Sequence, residues 1–332
     1  MNNANLKKLL NEYERKRIQE ENNLEYRKNK LYDSYPRLQE IDKELSSLAI
    51  SSTKELIKKN NKDIITNLNN CINNLKKEKK ELLFSICKDY DYLTPNYECT
   101  LCKDTGYITN NYETKMCNCL KQKLFNLEYN KSNFTNLEKQ NFSTFDSTVY
   151  SDIVDITKFG CDKSPRENIE VIKQICINFI NNFDNLDEKN LLFTGNTGLG
   201  KTFLSSCIAN EVLKQQKTVL YQTAPIMLDS IIDYRFGKNP NNIYNNILDV
   251  DLLIIDDLGT ECMNNMKFTE LFNIINTRLL NQNNKPTKTI ISTNLSIQNL
   301  FNSYDERIVS RFVGYYNICR FFGEDLRFKL RK

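Results

Sequence analysis

Eight consecutive residues, Gly195–Thr202, have the types and spacing needed to hold the phosphates of a nucleotide. They read G-N-T-G-L-G-K-T and match the pattern G-x-x-x-x-G-K-[ST]. Their glycines let the backbone turn sharply and direct N–H groups inward, while a following helix directs its positive end to the same place. Lys201 would reach the β- and γ-phosphates, and the Thr202 hydroxyl would bind Mg²⁺. Because three of the 9 glycines of the chain lie in this stretch, we predict a nucleotide-binding P-loop rather than a glycine-rich turn.

All eight P-loop residues are predicted to contact the nucleotide. They are Gly195, Asn196, Thr197, Gly198, Leu199, Gly200, Lys201 and Thr202. The surrounding sequence suits this role, since the apolar run Leu191–Thr194 reads as a buried strand and Phe203–Leu213 has apolar residues at helical spacing. The loop is therefore expected to join a strand to a helix, as the motif requires.

A second stretch, Asp251–Gly259, reads as a buried strand that ends in carboxylates. Four aliphatic residues precede Asp256 and Asp257, which is the pattern of a Walker B strand. Asp256 would complete the Mg²⁺ shell, and Asp257 would orient or deprotonate the attacking water. A lone acidic strand end is commonly only a turn, but the P-loop earlier in the chain favours the catalytic interpretation. Asn294 follows another apolar strand, and it would contact the γ-phosphate or the water.

Four cysteines form the pattern C-x₂-C-x₁₄-C-x-C. Four thiolates on two short turns can surround Zn²⁺ tetrahedrally and thereby fold a segment too short to bury its own core. The second pair is more closely spaced than in most zinc sites, and a redox-active C-x-x-C remains the alternative. We favour structural zinc because no β-α-β pattern surrounds the cysteines. The predicted ligands are Cys99, Cys102, Cys117 and Cys119.

The composition excludes several classes of chemistry. The chain of 332 residues contains no histidine, which rules out imidazole bases, Ser-His and Cys-His nucleophilic pairs and histidine metal ligands. It shows no signal-peptide core and no apolar run near the ~20 residues of a membrane span. We therefore expect a cytoplasmic protein whose 11 cysteines are reduced or bind metal.

The charge is unevenly distributed along the chain. Residues 1–140 hold 25 Lys+Arg and 20 Asp+Glu, a net +5, whereas the remainder holds 21 and 22, a net −1. This favours the N-terminal part as the site for an acidic partner, although solvated helix faces give the same pattern.

The elements that must position these motifs divide the chain into four predicted segments. Residues 1–90 contain no glycine and carry apolar residues at helical spacing, with one helix starting at Ser34–Pro36 and a third running from about Thr53 to Ile86. Such stripes fit a helical bundle, a coiled-coil hairpin or a partner-binding arm. Phe134, Leu137, Phe142 and Phe145 would dock the linker onto the ATPase. The segments are a helical segment 1–90, a four-cysteine zinc module 91–125, a linker 126–163 and an ATPase domain 164–332.

Residues 160–328 resemble the AAA+ ATPases of the bacterial DnaC/DnaI helicase-loader and IstB-like group. The resemblance rests on five stretches of sequence: Gly195–Thr202, Asp251–Glu261, Ile290–Leu295, Glu306–Arg311 and Gly323–Arg327. It implies an α/β fold with a five-stranded parallel sheet of order 5-1-4-3-2. It also implies ATP and Mg²⁺ as ligands, with a DnaB-type replicative helicase and single-stranded DNA as partners of an ATP-dependent homo-oligomer.

The resemblance assigns roles to individual residues. Asn294 is similar to the sensor-1 residue, and Arg311 to the arginine finger that reaches a neighbouring subunit's ATP. Arg327 is similar to a second phosphate-sensing arginine, and Arg307 could exchange roles with Arg311. Many AAA+ enzymes have Glu where this chain has Asp257, so turnover is expected to be slow; Glu261 is a weaker candidate for the same role.

Three functions remain open from the sequence. The zinc module and the helical N-terminus favour a helicase loader, since DnaI-type loaders are similar in having a zinc-binding docking domain. The same ATPase core would also serve an IstB-like transposition helper. The shorter Asp257 side chain leaves open an adaptor that binds ATP as a switch and barely hydrolyses it.

Overall fold

A computed structural model describes residues 3–57, 62–110, 113–129, 140–238, 243–262 and 264–328. The chain forms two compact units, Leu10–Asn110 and the combination of Met1–Leu9 with Asn111–Lys332. Among the described residues, every helix is too short or too polar to cross a membrane.

The N-terminal part folds as three helices, as the sequence predicts. They are α1 (Asn3–Ser34), α2 (Pro36–Ile57) and α3 (Lys62–Cys87). Pro36 is the first residue of α2, but the predicted start of the third helix near Thr53 is wrong. The hydroxyls of Ser51 and Thr53 donate to the carbonyls of Ser47 and Ala49 one turn earlier, so they continue α2 instead of capping a new helix.

Helices α2 and α3 pack against each other. Leu38, Ile41 and Leu83 are buried. Arg37 Nε donates to Glu78 Oε1 across the pair at 2.8 Å. Some residues of the predicted apolar stripe are therefore buried by helix packing within the chain itself.

Two short strands, β1 (Tyr107–Asn110) and β2 (Glu113–Met116), precede helix α4 (Asn118–Glu128). Helix α4 was not predicted from the sequence. It begins within the predicted zinc module 91–125 and continues past the predicted end of that module. Leu120, Leu124 and Phe125 of α4 are fully buried. The Gln122 side chain accepts a hydrogen bond from the Val219 N–H at 2.7 Å and donates to the Val219 carbonyl at 3.0 Å. This exchange binds α4 to the edge of the large sheet.

The large sheet has five parallel strands in the spatial order β4-β5-β6-β3-β7. If the five strands are numbered 1 to 5 in chain order and read from the β7 edge, the order is 5-1-4-3-2. This is the order that the family resemblance implies. The strands are β3 (Asn190–Thr194), β4 (Val219–Thr223), β5 (Leu252–Leu258), β6 (Lys288–Thr293) and β7 (Tyr316–Arg320).

Helices cover both faces of this sheet. Successive strand residues point to opposite faces, so Leu191 and Phe193 enter one core while Leu192 enters the other. Helices α6 and α7 cover the first face, and helices α8 to α12 cover the second. The helices are α5 (Ile156–Phe159), α6 (Pro165–Asn181), α7 (Lys201–Lys214), α8 (Ala224–Arg235), α9 (Ile243–Asp249), α10 (Asn265–Asn281), α11 (Ile297–Ser303) and α12 (Glu306–Tyr315).

Helix α6 begins with a reciprocal cap. The Ser164 hydroxyl accepts from the Glu167 N–H, and the Glu167 carboxylate accepts from the Ser164 N–H. Pro165 occupies the first turn, where its missing N–H costs nothing. This reciprocal cap fixes the entry of the chain into the ATPase fold.

Candidate nucleotide-binding site

The P-loop joins β3 to α7, as predicted, and its glycines are required by close contacts. Gly195, Gly198 and Gly200 have φ values of +135°, +73° and +90°, which residues with a Cβ atom rarely adopt. A Cβ atom at Gly198 would lie 1.9 Å from Asp325 Oδ1, and one at Gly195 would lie 2.1 Å from the Phe321 carbonyl oxygen. The C-terminal segment therefore packs directly on the P-loop backbone.

Lys201 lies at the centre of the site and is almost fully buried. Its ammonium donates to the carbonyls of Gly195 and Asn196 at 2.5 and 2.7 Å and to Asn294 Oδ1 at 2.8 Å. Burial lowers the pKa of Lys201 to about 8, and the charges of Asp257 and Asp256 oppose that effect. A phosphate group would supply the negative charge that this buried cation lacks.

Three hydroxyls hold the carboxylate of Asp256. Thr202 Oγ1 donates to Asp256 Oδ2 at 3.2 Å, and Tyr221 Oη donates to the same atom at 2.7 Å. Ser292 Oγ donates to Asp256 Oδ1. Thr202 and Asp256 thus lie together as predicted, with oxygen atoms of the type that Mg²⁺ binds.

Sequence analysis missed Tyr221 and Ser292. Both lie near the carboxyl ends of strands that flank β5. Carboxyl ends of parallel strands share one edge of a sheet, so polar residues at the ends of β4 and β6 were an available signal.

Asp257 lies in the cavity beside the P-loop. It lines this cavity of about 620 Å³ together with Lys201, Thr202 and Asn294. Burial and the charge of Asp256 raise the pKa of Asp257 above its ordinary value, whereas Lys201 opposes that rise. Such a raised pKa suits a group that accepts a proton.

Glu261, the weaker candidate, is occupied elsewhere. Its carboxylate accepts from the Tyr304 hydroxyl and from the Gly259 N–H at 2.9 Å. Glu261 does not line the cavity, whereas the nearby residues Asp257 and Thr260 do. The geometry therefore favours Asp257 as the water-directed carboxylate.

The segment before α6 forms the apolar side of the cavity, a role the sequence did not predict. Phe145, Val149 and Tyr150 line the cavity beside the P-loop. The Tyr150 hydroxyl donates to the Leu199 carbonyl at 3.0 Å. Phe142 and Phe145 pack on the core as predicted, while Phe134 and Leu137 lie outside the described residues. The cavity therefore combines a polar phosphate end with an apolar wall suited to a base.

The three candidate arginines occupy different places. Arg327 lines the cavity, where its guanidinium pairs with Asp325 at 2.8 Å. Arg311 lies outside the cavity lining and donates through Nε and Nη2 to Asn276 Oδ1, both at 2.9 Å. Arg307 pairs with Asp305 and is mostly exposed. Of these three arginines, Arg327 alone lines the cavity beside the P-loop.

The four predicted zinc ligands lie together. Their sulfur atoms are all within 4.8 Å of one another. A tetrahedral zinc site with Zn–S bonds of about 2.3 Å needs sulfurs about 3.8 Å apart, so the donor set and its spacing fit Zn²⁺. Cys117 directly precedes α4 and Cys119 lies in its first turn, where the helix N-terminus stabilises thiolates.

Asp104 organises the first cysteine turn, and sequence analysis missed it. Its carboxylate accepts from the N–H groups of Glu98 and Cys99, both at 2.9 Å. Lys103 and Asp104 adopt φ values of +51° and +53°, so the chain reverses sharply after Cys102. The turn is therefore held by side-chain hydrogen bonds as well as by any metal.

Comparison with known proteins supports the nucleotide site. Residues 165–313 match the family model of the IstB-like ATP binding protein. The chain is 27% identical over 122 residues to the replicative helicase loader DnaC of Escherichia coli strain K12, which covers 36% of this chain and 48% of DnaC. It is 32% identical over 126 residues to the chromosomal replication initiator protein DnaA of Streptococcus agalactiae, covering 37% of this chain and 27% of DnaA. The chain thus spans about half or less of the length of these relatives.

A solved structure of the DnaC helicase loader is also similar to this chain. The two are 19% identical, with a TM-score of 0.45, over 57% of this chain and 99% of that structure. The residues that match the family model include the P-loop and the acidic strand end described above. The match over residues 165–313 and the similarity to DnaC thus support a DnaC-type, IstB-like AAA+ domain in this chain.

Proposed function

We propose that this protein uses ATP to load a DnaB-type replicative ring helicase onto single-stranded DNA. Lys201 and Asp257 line one cavity, and Asp256 contacts Thr202 of the same lining; this arrangement carries the ATP-dependent part of the proposal. The match to helicase loaders supports the replication role. The four-cysteine cluster and the α2–α3 pair would provide the docking surface for the helicase.

Each residue of the site would have a defined task. Lys201 would exchange its three oxygen partners for the β- and γ-phosphates, and the P-loop N–H groups would hold the remaining phosphate oxygens. Thr202 and Asp256 would hold Mg²⁺, which neutralises developing phosphate charge. Asp257 would accept a proton from the attacking water, while Asn294 would orient that water or the γ-phosphate.

Lys201→Ala should lose ATP binding while the chain stays folded. The substitution removes the buried cation that faces the phosphates. Isothermal titration calorimetry measures the binding, and circular dichroism checks the fold. Lys214→Ala is the matched control, since Lys214 lies at the exposed end of the same helix. Wild-type ATP affinity in folded Lys201→Ala protein would contradict the proposed P-loop role.

Asp256→Asn and Asp257→Asn should separate binding from hydrolysis. Asp257→Asn should retain ATP binding but lose turnover, because the amide cannot accept the proton from water. Asp256→Asn should weaken the Mg²⁺-dependent part of binding. Phosphate release and calorimetry, each with and without Mg²⁺, distinguish the two variants. Equal, wild-type turnover in both would show that the roles are misassigned, and negligible turnover in the wild type with and without single-stranded DNA would favour the ATP-gated adaptor.

The partner is tested by copurification from the source cells. Tagged wild-type chain should recover a ring helicase in the presence of ATP, whereas tagged Lys201→Ala should recover less of it. The IstB-like family match also keeps a transposition helper as the second candidate. Recovery of a transposase instead of a helicase would replace the loader proposal with that function.

A further inference from the structure

Strand β5 contains an irregularity at the two catalytic carboxylates. Its pairing with β6 runs Ile255 to Ile291 and then Leu258 to Thr293. Three steps along β5 therefore match two steps along β6, which places Asp256 and Asp257 opposite the single residue Ser292. This two-against-one arrangement is a β-bulge.

The bulge changes which way the side chains point. Ile255 and Leu258 are three residues apart and would face opposite sides of a regular strand. Both nevertheless belong to the core on the α8–α12 face. The extra residue is absorbed at Asp257, whose φ of +55° is uncommon for a side-chain-bearing residue. The bulge thereby lets two consecutive carboxylates serve one site, because Asp256 contacts Thr202 and Asp257 lines the same cavity.

Ser292 contacts both halves of the bulge. It is fully buried. Its hydroxyl donates to Asp256 Oδ1 and accepts from the Asp257 N–H at 3.2 Å. On the other side, Thr260 Oγ1 donates to the Asp257 carbonyl at 2.8 Å. One hydroxyl thus orients the Asp256 carboxylate and shares with Asp256 Oδ1 the displaced N–H of Asp257, which lies 3.2 Å from each acceptor.

We propose that Ser292 is a positioning residue of the ATP site, which holds the β5 bulge and thereby directs Asp256 to Mg²⁺ and Asp257 to the attacking water. The inference rests on the proposed ATPase function. It assigns Ser292 no contact with the nucleotide itself. Its effect should therefore appear in the Mg²⁺-dependent part of binding and in turnover, and not in the contacts that Lys201 makes with phosphate.

The test compares Ser292→Ala with Ser205→Ala. Ser205 is a matched control because it is equally buried, lies on the P-loop helix and has a hydroxyl that lacks a hydrogen-bond partner within the described part of the chain. ATP affinity is measured by calorimetry in Mg²⁺ and in EDTA, and turnover by phosphate release. Ser292→Ala should lose about 10–100-fold in Mg²⁺-dependent affinity or turnover, the usual effect of removing a residue that orients a metal ligand. Its affinity in EDTA and the behaviour of Ser205→Ala should match the wild type.

A purely structural role would give a different pattern, since a damaged core would lower both ATP affinities and the melting temperature together. Ser292→Cys covers the case in which the alanine variant does not fold, because it preserves the side-chain size but replaces the hydroxyl with a weak hydrogen-bonding group. If folded Ser292→Ala or Ser292→Cys protein has wild-type turnover and the wild-type ratio of ATP affinities in Mg²⁺ and in EDTA, the positioning role of Ser292 is wrong. The proposed ATPase function would not be affected by that result. A wild-type chain that binds ATP equally in Mg²⁺ and in EDTA overturns the proposed catalytic site as well.

Discussion

Replacing Arg311 with alanine should lower ATP hydrolysis by about 10³–10⁵-fold without weakening ATP binding by the isolated chain, the range expected for loss of an arginine finger. Lys201 and Arg327 lie in the cavity, but Arg311 is held outside its lining by Asn276 and lies over the Phe272 ring at 4.5 Å. Because Arg311 does not line the cavity of its own chain, the arginine-finger proposal places it at the nucleotide of another subunit. Phosphate release measured over a wide range of protein concentration reports the effect.

Mixing two inactive variants tests the shared site directly. Arg311→Ala retains an intact P-loop, and Lys201→Ala retains an intact Arg311, so the mixture should recover part of the activity. Arg307→Ala is the matched control, because Arg307 lies one turn away on α12 and pairs with Asp305. Wild-type turnover by Arg311→Ala at every protein concentration would exclude catalysis shared through this residue. Loss of turnover in Arg307→Ala alone would transfer the finger role to Arg307.

Removal of zinc should unfold the Cys-rich segment. Structural zinc contributes about 10–16 kcal/mol of binding free energy in small metal-folded peptides, which is large compared with the stability of a typical domain. Purified, reduced protein should contain one Zn²⁺ per chain by metal analysis. Chelation or a Cys102→Ser substitution should lower its melting temperature and make the segment 91–125 sensitive to protease.

Cys71→Ser is the control for that experiment, since Cys71 is exposed on α3 and lies outside the four-sulfur cluster. It should retain the zinc and the melting temperature of the wild type. Less than about half an equivalent of zinc in reduced wild-type protein would favour free thiols or a redox pair, because a closed site of four thiolates binds its metal tightly.

Much of the ATPase fold follows from short stretches of sequence. The P-loop and the acidic end of β5 each depend on neighbouring residues, so their types and spacing are sufficient to predict them. The same is true of the cysteine spacing, whose four sulfurs lie together in the structure. Helix α4 was missed because its amphipathic pattern is short and its stability depends on contacts with β4, which lies far along the chain.

Only the tertiary structure could show how the two carboxylates are aimed. The Asp256–Asp257 pair is visible in the sequence, but the bulge that places Asp256 against Thr202 and Asp257 in the cavity lining depends on the register between β5 and β6. The roles of Tyr221 and Ser292 depend on the same alignment, because strand order places β4 and β6 on either side of β5. Residues that define a motif are local in sequence, whereas the hydroxyls that orient them come from strands whose proximity is set by long-range packing. For this reason the sequence alone predicted which groups lie at the site, and the fold decided how they are held.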